Sequence, residues 1–91
     1  MATIWIPSQL RGLCGGTDRL DLPADTLDEL FRAVDKRCPG FYDRVVEDGR
    51  VRGELAVAID SEAMAYPLFQ ALTAHADVAI VPAIGGGSLQ P

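Results

Sequence analysis

The chain has 91 residues, a formal net charge of -5, 48% hydrophobic and 23% charged residues. That is the length of one domain and the composition of a folded globular protein, which argues against disorder. The acidic balance offers no Lys/Arg-rich stripe to neutralise phosphates, and no apolar run approaches the ~20 residues of a membrane span, so nucleic-acid binding and membrane insertion are set aside.

Residues 3–7 predict a strand, because Ile4 and Ile6 alternate with Thr3 and Trp5. Gly12, Gly15 and Gly16 punctuate a turn, and Arg19-Leu20-Asp21-Leu22 alternates again as the second strand of a hairpin. Thr26-Leu27-Asp28-Glu29 has the form of a capping box, with the threonine hydroxyl on a backbone N–H and Glu29 reaching back. Leu27, Leu30, Phe31, Val34 and Cys38 follow at helical spacing as one apolar stripe. Lys36 and Arg37 suit the negative end of that helix, and Pro39-Gly40 stops it.

Residues 41–53 carry no clear period apart from the Asp48-Gly49 turn. Leu55, Val57 and Ile59 share one face of a further strand, and Asp60-Ser61-Glu62 is a turn. Pro67 opens a short helical turn carrying Leu68, Ala71 and Leu72, and residues 76–82 form the last strand. The order strand, strand, helix, strand, short helix, strand predicts an α+β domain: a mixed sheet with one main helix packed on one face.

Alternation places Ile4, Ile6, Leu55, Val57, Ile59, Val78 and Ile80 toward the helix. The opposite face then carries Trp5, Ala56, Ala58, Ala79 and Val81. A lone domain keeps that face wet and polar, so a tryptophan among small apolar residues reads as a docking surface. A net acidic domain suits a basic partner.

Cys14 and Cys38 can form at most one disulfide. The N-terminus lacks a basic leader of secretory length, which points to the cytosol and to two reduced thiols. Cys14 then fills the turn after the first strand, and Cys38 closes the helix stripe. Two cysteines and a single histidine cannot build a zinc site of the usual kind or an iron–sulfur cluster, so no bound cofactor or metal is expected. His75 has no nucleophile or acid at a catalytic spacing and is assigned to the surface. Arg11 either docks an acidic partner or holds a loop backbone. Asp43, Glu47 and Asp48 read as a solvated surface. Gly15-Gly16 is not a phosphate loop, since no Lys-Ser/Thr follows.

The most informative segment is Val78-Ala79-Ile80-Val81-Pro82-Ala83-Ile84-Gly85-Gly86-Gly87. A hydrophobic strand runs into a triglycine. A glycine tail is thin and unrestricted, able to thread where any Cβ would clash. Followed by Ser88, it also has the composition of a flexible linker.

Taken together, the chain resembles the ThiS/MoaD family of ubiquitin-like sulfur carriers along nearly its whole length. Leu10-Arg11-Gly12-Leu13-Cys14-Gly15-Gly16 is similar to the family's first turn, Asp25-Thr26-Leu27-Asp28-Glu29-Leu30 to its helix start, and Cys38-Pro39-Gly40 to its helix end. Val57-Ala58-Ile59-Asp60 resembles a strand that usually ends in Val-Asn, and Val81-Pro82-Ala83-Ile84-Gly85-Gly86-Gly87 the closing strand-Pro-diglycine motif.

The resemblance implies a β-grasp fold and a carrier role rather than catalysis. It implies that a ubiquitin-activating-type adenylyltransferase (MoeB/ThiF-like) uses ATP to adenylylate the terminal glycine. A sulfur donor then converts the product to a thiocarboxylate. Aligning Pro82-Ala83 with the family's motif places the reactive glycine at Gly87, with Gly85 and Gly86 as the threading tail and Trp5, Ala58, Ala79, Val81 and Pro82 as the docking surface. Residues 88–91 depart from the family's usual diglycine end. The resemblance therefore implies a carrier domain over residues 1–87 and a 88–91 extension removed between Gly87 and Ser88, as a JAMM-type metalloprotease does for some relatives. The long stretch over residues 61–81 is more similar to the CysO-type branch, which implies a cysteine-synthase-like or thiosugar-synthase-like acceptor enzyme. The other readings are the small subunit of a molybdopterin synthase and a non-covalent ubiquitin-like interaction module.

Overall fold

The computed structural model describes residues 1–83. Strand β1 (Ala2–Trp5) leads through a 3₁₀ segment (Ser8–Cys14) to β2 (Arg19–Leu22), which returns antiparallel to it with Ile4 opposite Leu20. Helix α1 (Leu27–Arg37) follows, then a short helix α2 (Phe41–Val45). A small hairpin joins β3 (Val46–Glu47) to β4 (Arg50–Val51), and β5 (Leu55–Ile59), β6 (Glu62–Met64) and β7 (Asp77–Pro82) complete the chain. The main sheet has the order β2-β1-β7-β5-β6. Its central pair, β1 and β7, is parallel, with Ile4 opposite Val78 and Trp5 opposite Ala79. A parallel pair needs a long crossover, and the intervening chain supplies it with α1 laid on one sheet face. This is the mixed-sheet β-grasp expected from the sequence.

The core follows the two periodicities. Leu27, Leu30, Phe31, Val34 and Cys38 of the helical stripe are buried against Ile4, Ile6, Val57, Val78 and Ile80. Leu55 and Ile59, assigned to the same face, are only half-buried and pack at its margin. Phe41 of α2 is buried and meets Phe31 with ring centroids 6.0 Å apart at 60°, a tilted aromatic pair.

The start of α1 also sets the conformation of residues 67–72. The Thr26 hydroxyl accepts from the Glu29 N–H at 3.2 Å, as a cap should. Glu29 reaches back one residue further than a capping box requires, accepting from the Asp25 N–H at 2.9 Å. The next two unpaired helix donors, the N–H groups of Leu27 and Asp28, give to the carbonyls of Gln70 and Leu68. Residues 67–72 are therefore not a helical turn. They form a β-turn closed from the Gln70 N–H to the Pro67 carbonyl, and Ala71 bridges Thr26. The Leu72 N–H, which a helical turn would direct to the Leu68 carbonyl, instead donates to the Asp25 carbonyl at 2.9 Å.

Asp28 and Arg32 add an i,i+4 pair at 2.7 Å. The Tyr42 hydroxyl donates to Asp28, and the Arg32 guanidinium lies 4.6 Å from the Tyr42 ring centroid. This ties α2 to α1. The hydrogen bond from Tyr42, and after it that from Arg32, holds the Asp28 carboxyl below its ordinary value. Desolvation and the Asp28 carboxylate push the Tyr42 hydroxyl up.

Four short elements, α2, β3, β4 and β6, lie where the sequence predicts none. Helix α2 and the β3–β4 hairpin occupy residues 41–53, with Asp48 and Gly49 both at positive φ in the hairpin turn. The turn expected at Asp60-Ser61-Glu62 is present, with Asp60 and Ser61 both at positive φ, and it closes a hairpin onto β6, a strand the sequence does not predict.

The cysteines overturn the expectation of two free thiols. Cys14, the last residue of the 3₁₀ segment, and Cys38, the C-cap of α1, are joined as a disulfide with their Cα atoms 4.5 Å apart. Both chain reversals aim these two positions at the same spot, a juxtaposition that composition and compartment arguments cannot register. Cys14 is thus a cross-link partner rather than a turn filler, while Cys38 does lie in the core.

Candidate functional site

The outer face of the sheet, opposite α1, is built by register. Trp5 stands beside Ala79, Ala79 beside Ala58, and Ala58 beside Ala63, a single row crossing four strands. Ala56 and Val81 form the next row toward the end of β7. At the other end Asp21, Thr3 and Asp77 align, and the Thr3 hydroxyl donates to Asp21 at 2.6 Å. The face is therefore polar at one end and apolar at the other. The apolar end is the one from which β7 runs toward the C-terminal tail.

Trp5 is 41% exposed. Its indole N–H donates to the Asp77 carboxylate at 2.7 Å, and the Arg19 guanidinium stands 5.6 Å from its ring centroid. These contacts orient the ring without covering it. Ala56, Ala58, Ala79 and Val81 are half-buried, and Pro82 is exposed. The structure thus brings together four of the five residues read as a docking surface, Trp5, Ala58, Ala79 and Val81; Pro82, paired with Leu55, falls on the alternation of buried Val78 and Ile80, at the end of β7 rather than on the outer face. Gly85, Gly86, Gly87 and Ser88 lie outside the described residues.

The root of the tail is well anchored. Leu55 pairs with Pro82, and the Ala83 N–H donates to the Glu54 carbonyl at 2.9 Å. Beside it lies an open groove of about 390 Å³, bordered by Pro7 and Leu10 on one side, Arg44 and Arg52 on another, and Val81 and Pro82. Sequence reasoning missed both arginines. They lie on either side of the β3–β4 hairpin, far in sequence from the tail, and belong to no motif. The Arg52 guanidinium donates to the Asp43 carbonyl at 2.8 Å and pairs with Glu47 at 3.3 Å. Arg11, left open between partner docking and loop support, donates to the Ile6 carbonyl at 2.9 Å. Met64, at the end of β6, and Phe69, in the turn closed by Pro67 and Gln70, are 51% and 81% exposed and were also missed. His75 is exposed in a turn. Among the described residues no cluster of His, Cys, Asp and Glu could hold a metal ion, and no helix is long and apolar enough to cross a membrane.

No family model and no curated protein matches this chain. Solved structures do. A chain of the BexX/CysO complex of Amycolatopsis orientalis is 25% identical with a TM-score of 0.85, over 96% of this chain and 100% of the other. CysO of Mycobacterium tuberculosis is 22% identical with a TM-score of 0.83, over 90% and 98%. The chain has the β-grasp fold of the ThiS/MoaD-type sulfur carriers. SAMP1 of Haloferax volcanii, a ubiquitin-like modifier, shares that fold with 27% identity and a TM-score of 0.67, over 94% and 98%. These neighbours are carriers and modifiers rather than catalysts. Nearly the whole of each neighbour is spanned, so the likeness covers the domain and not one hairpin of it.

Proposed function

We propose that this protein is a sulfur carrier whose reactive group is the carboxylate of Gly87, exposed once residues 88–91 are removed. The observation that carries the reading is the end-to-end likeness to CysO chains, one of them from a BexX/CysO complex. The apolar end of the outer sheet face supports it, because that surface leads directly to the tail. The partner is an adenylyltransferase that docks on Trp5, Ala58, Ala79, Val81 and Pro82 and draws Gly85 and Gly86 into its active site. ATP belongs to that partner, and the carrier itself holds no cofactor.

The chemistry is a balanced exchange of one oxygen for one sulfur. The Gly87 carboxylate oxygen attacks the α-phosphate of ATP, and pyrophosphate leaves. The acyl carbon of the adenylate is then attacked by a sulfur nucleophile, and AMP leaves with the original oxygen. A carboxylate is a poor electrophile until its oxygen becomes a leaving group, and a glycine carbonyl presents no side chain to the incoming sulfur. The thiocarboxylate then delivers sulfide to an acceptor enzyme, cysteine-synthase-like or thiosugar-synthase-like. A JAMM-type metalloprotease is the proposed trimming enzyme.

The test compares the full chain with one ending at Gly87, each incubated with ATP, a sulfide source and the cognate adenylyltransferase. Mass spectrometry should show oxygen replaced by sulfur in the short form alone. Gly86→Val or Gly87→Val in the short form should abolish the gain, since a Cβ restricts the tail's backbone angles and widens it. If the short form never gains sulfur where an authentic CysO does, the chain is a non-covalent interaction module instead.

A further inference from the structure

The 3₁₀ segment Ser8–Cys14 and the glycine turn after it are fastened to the domain in an unusual way. Their backbone hydrogen bonds among the described residues are local: Leu10 to Pro7, Gly16 to Arg11, Thr17 to Cys14. The Arg11 side chain also reaches only as far as Ile6. What ties this segment to distant structure is the burial of Leu10, the packing of Leu13 near Gly40, and the Cys14–Cys38 disulfide. Leu10 borders the groove shared with Val81 and Pro82, beside the root of the tail.

We infer that the Cys14–Cys38 disulfide is a redox-responsive fastener, opened by dithiol reductants, that controls the order of the 3₁₀ segment and thereby the wall of the groove at the tail root. This inference stands independently of the carrier reading, since it concerns only the domain's own cross-link.

The two sulfurs are unequal. Cys38 is 1% exposed, whereas Cys14 is half-buried, so an incoming thiolate reaches the Cys14 sulfur. The S–S bond breaks, a mixed disulfide forms on Cys14, and Cys38 leaves as a thiolate that takes up a proton. Cys38 stays where α1 holds it, next to Cys14, because its backbone N–H is bonded to the Val34 carbonyl at 2.7 Å and its stripe is buried. It therefore re-attacks the Cys14 sulfur and expels a monothiol. A dithiol escapes this reversal, because its second thiol attacks its own mixed-disulfide sulfur and releases Cys14. The dithiol is oxidised to a cyclic disulfide, and its two electrons and two protons end on Cys14 and Cys38.

Thiol alkylation and hydrogen exchange test this on the full chain. Protein purified without reductant and denatured should take up no alkyl group, and after dithiothreitol it should take up two. Mercaptoethanol should need a total thiol concentration at least about tenfold higher for the same reduction. In the reduced protein and in the Cys14→Ser/Cys38→Ser variant, the amides of Leu10, Gly16 and Thr17 should exchange at least about tenfold faster, while those of Val57, Val78 and Ile80 keep their rates. Two alkyl groups without reductant, equal potency of the two reductants, or unchanged exchange over the segment would each overturn the inference. So would equal acceleration of the sheet amides, which would make the bond a global staple.

Discussion

Trp5 offers the sharpest test of the outer face, because its exposed part sets how much it can contribute to docking. A tryptophan of this kind presents up to ~250 Å² of surface, and the 41% left open in the domain amounts to ~100 Å². At ~25 cal/mol per Å², covering that area is worth ~2.5 kcal/mol, or roughly 60-fold in Kd. This is a ceiling, since ordering the interface takes back part of it. Trp5→Ala should therefore weaken binding to the adenylyltransferase by about tenfold, and by no more than about 60-fold. It also removes the hydrogen bond to Asp77 and the Arg19 contact, so stability must be followed in parallel. Trp5→Phe, which retains a ring on the face, should recover most of the affinity. Titration calorimetry gives the affinities. Because the chain contains a single tryptophan, fluorotryptophan labelling gives one fluorine resonance that should shift on docking. A folded Trp5→Ala protein that binds within a factor of about three of the parent, with no fluorine shift in the labelled parent, would refute docking through this face.

Two further predictions concern the frame that holds the site. Thr26→Ala removes one of several partners at the start of α1, the others being the Gln70 and Leu68 carbonyls, so it should cost about 1 kcal/mol. For a domain of this size that is a fall in Tm of about 5 °C, measurable by calorimetry, and no fall would show that the cap contributes nothing. Asp28 has its carboxyl lowered in the fold by Tyr42 and Arg32, so its contribution is complete above the ordinary carboxylate range and is lost as pH falls through the lowered value. Tyr42, raised by desolvation and by Asp28, contributes below its ordinary value near pH ~10 and loses that contribution as pH rises through the raised one. Denaturation curves across pH should show both losses in the parent, with the acid-side loss reduced in Asp28→Asn and the alkaline one reduced, but not removed, in Tyr42→Phe, since the Tyr66 hydroxyl is also raised.

Much of the site's frame was legible from periodicity. Period-two alternation separated Ile4, Val57 and Val78 from Trp5, Ala58 and Ala79, because a strand must send successive side chains to opposite faces. The stripe from Leu27 to Cys38 likewise announced a helix with one buried face, and Thr26 announced its start. These are local consequences of backbone geometry, carried by a few neighbouring residues. Which strands stand side by side is a different matter. Trp5 meets Ala79 only because β1 and β7, the two ends of the described chain, pair in parallel, and nothing within either strand encodes that partner. The same holds for residues 67–72, whose helix-like pattern yields to the donors at the head of α1, and for Arg44 and Arg52, which flank the β3–β4 hairpin and meet the tail root only in the folded domain. Cys14 and Cys38 are the clearest instance. The chain between them fixes neither their distance nor their state, and it is the packing of the 3₁₀ segment on the end of α1 that sets their Cα atoms 4.5 Å apart and makes them a bond.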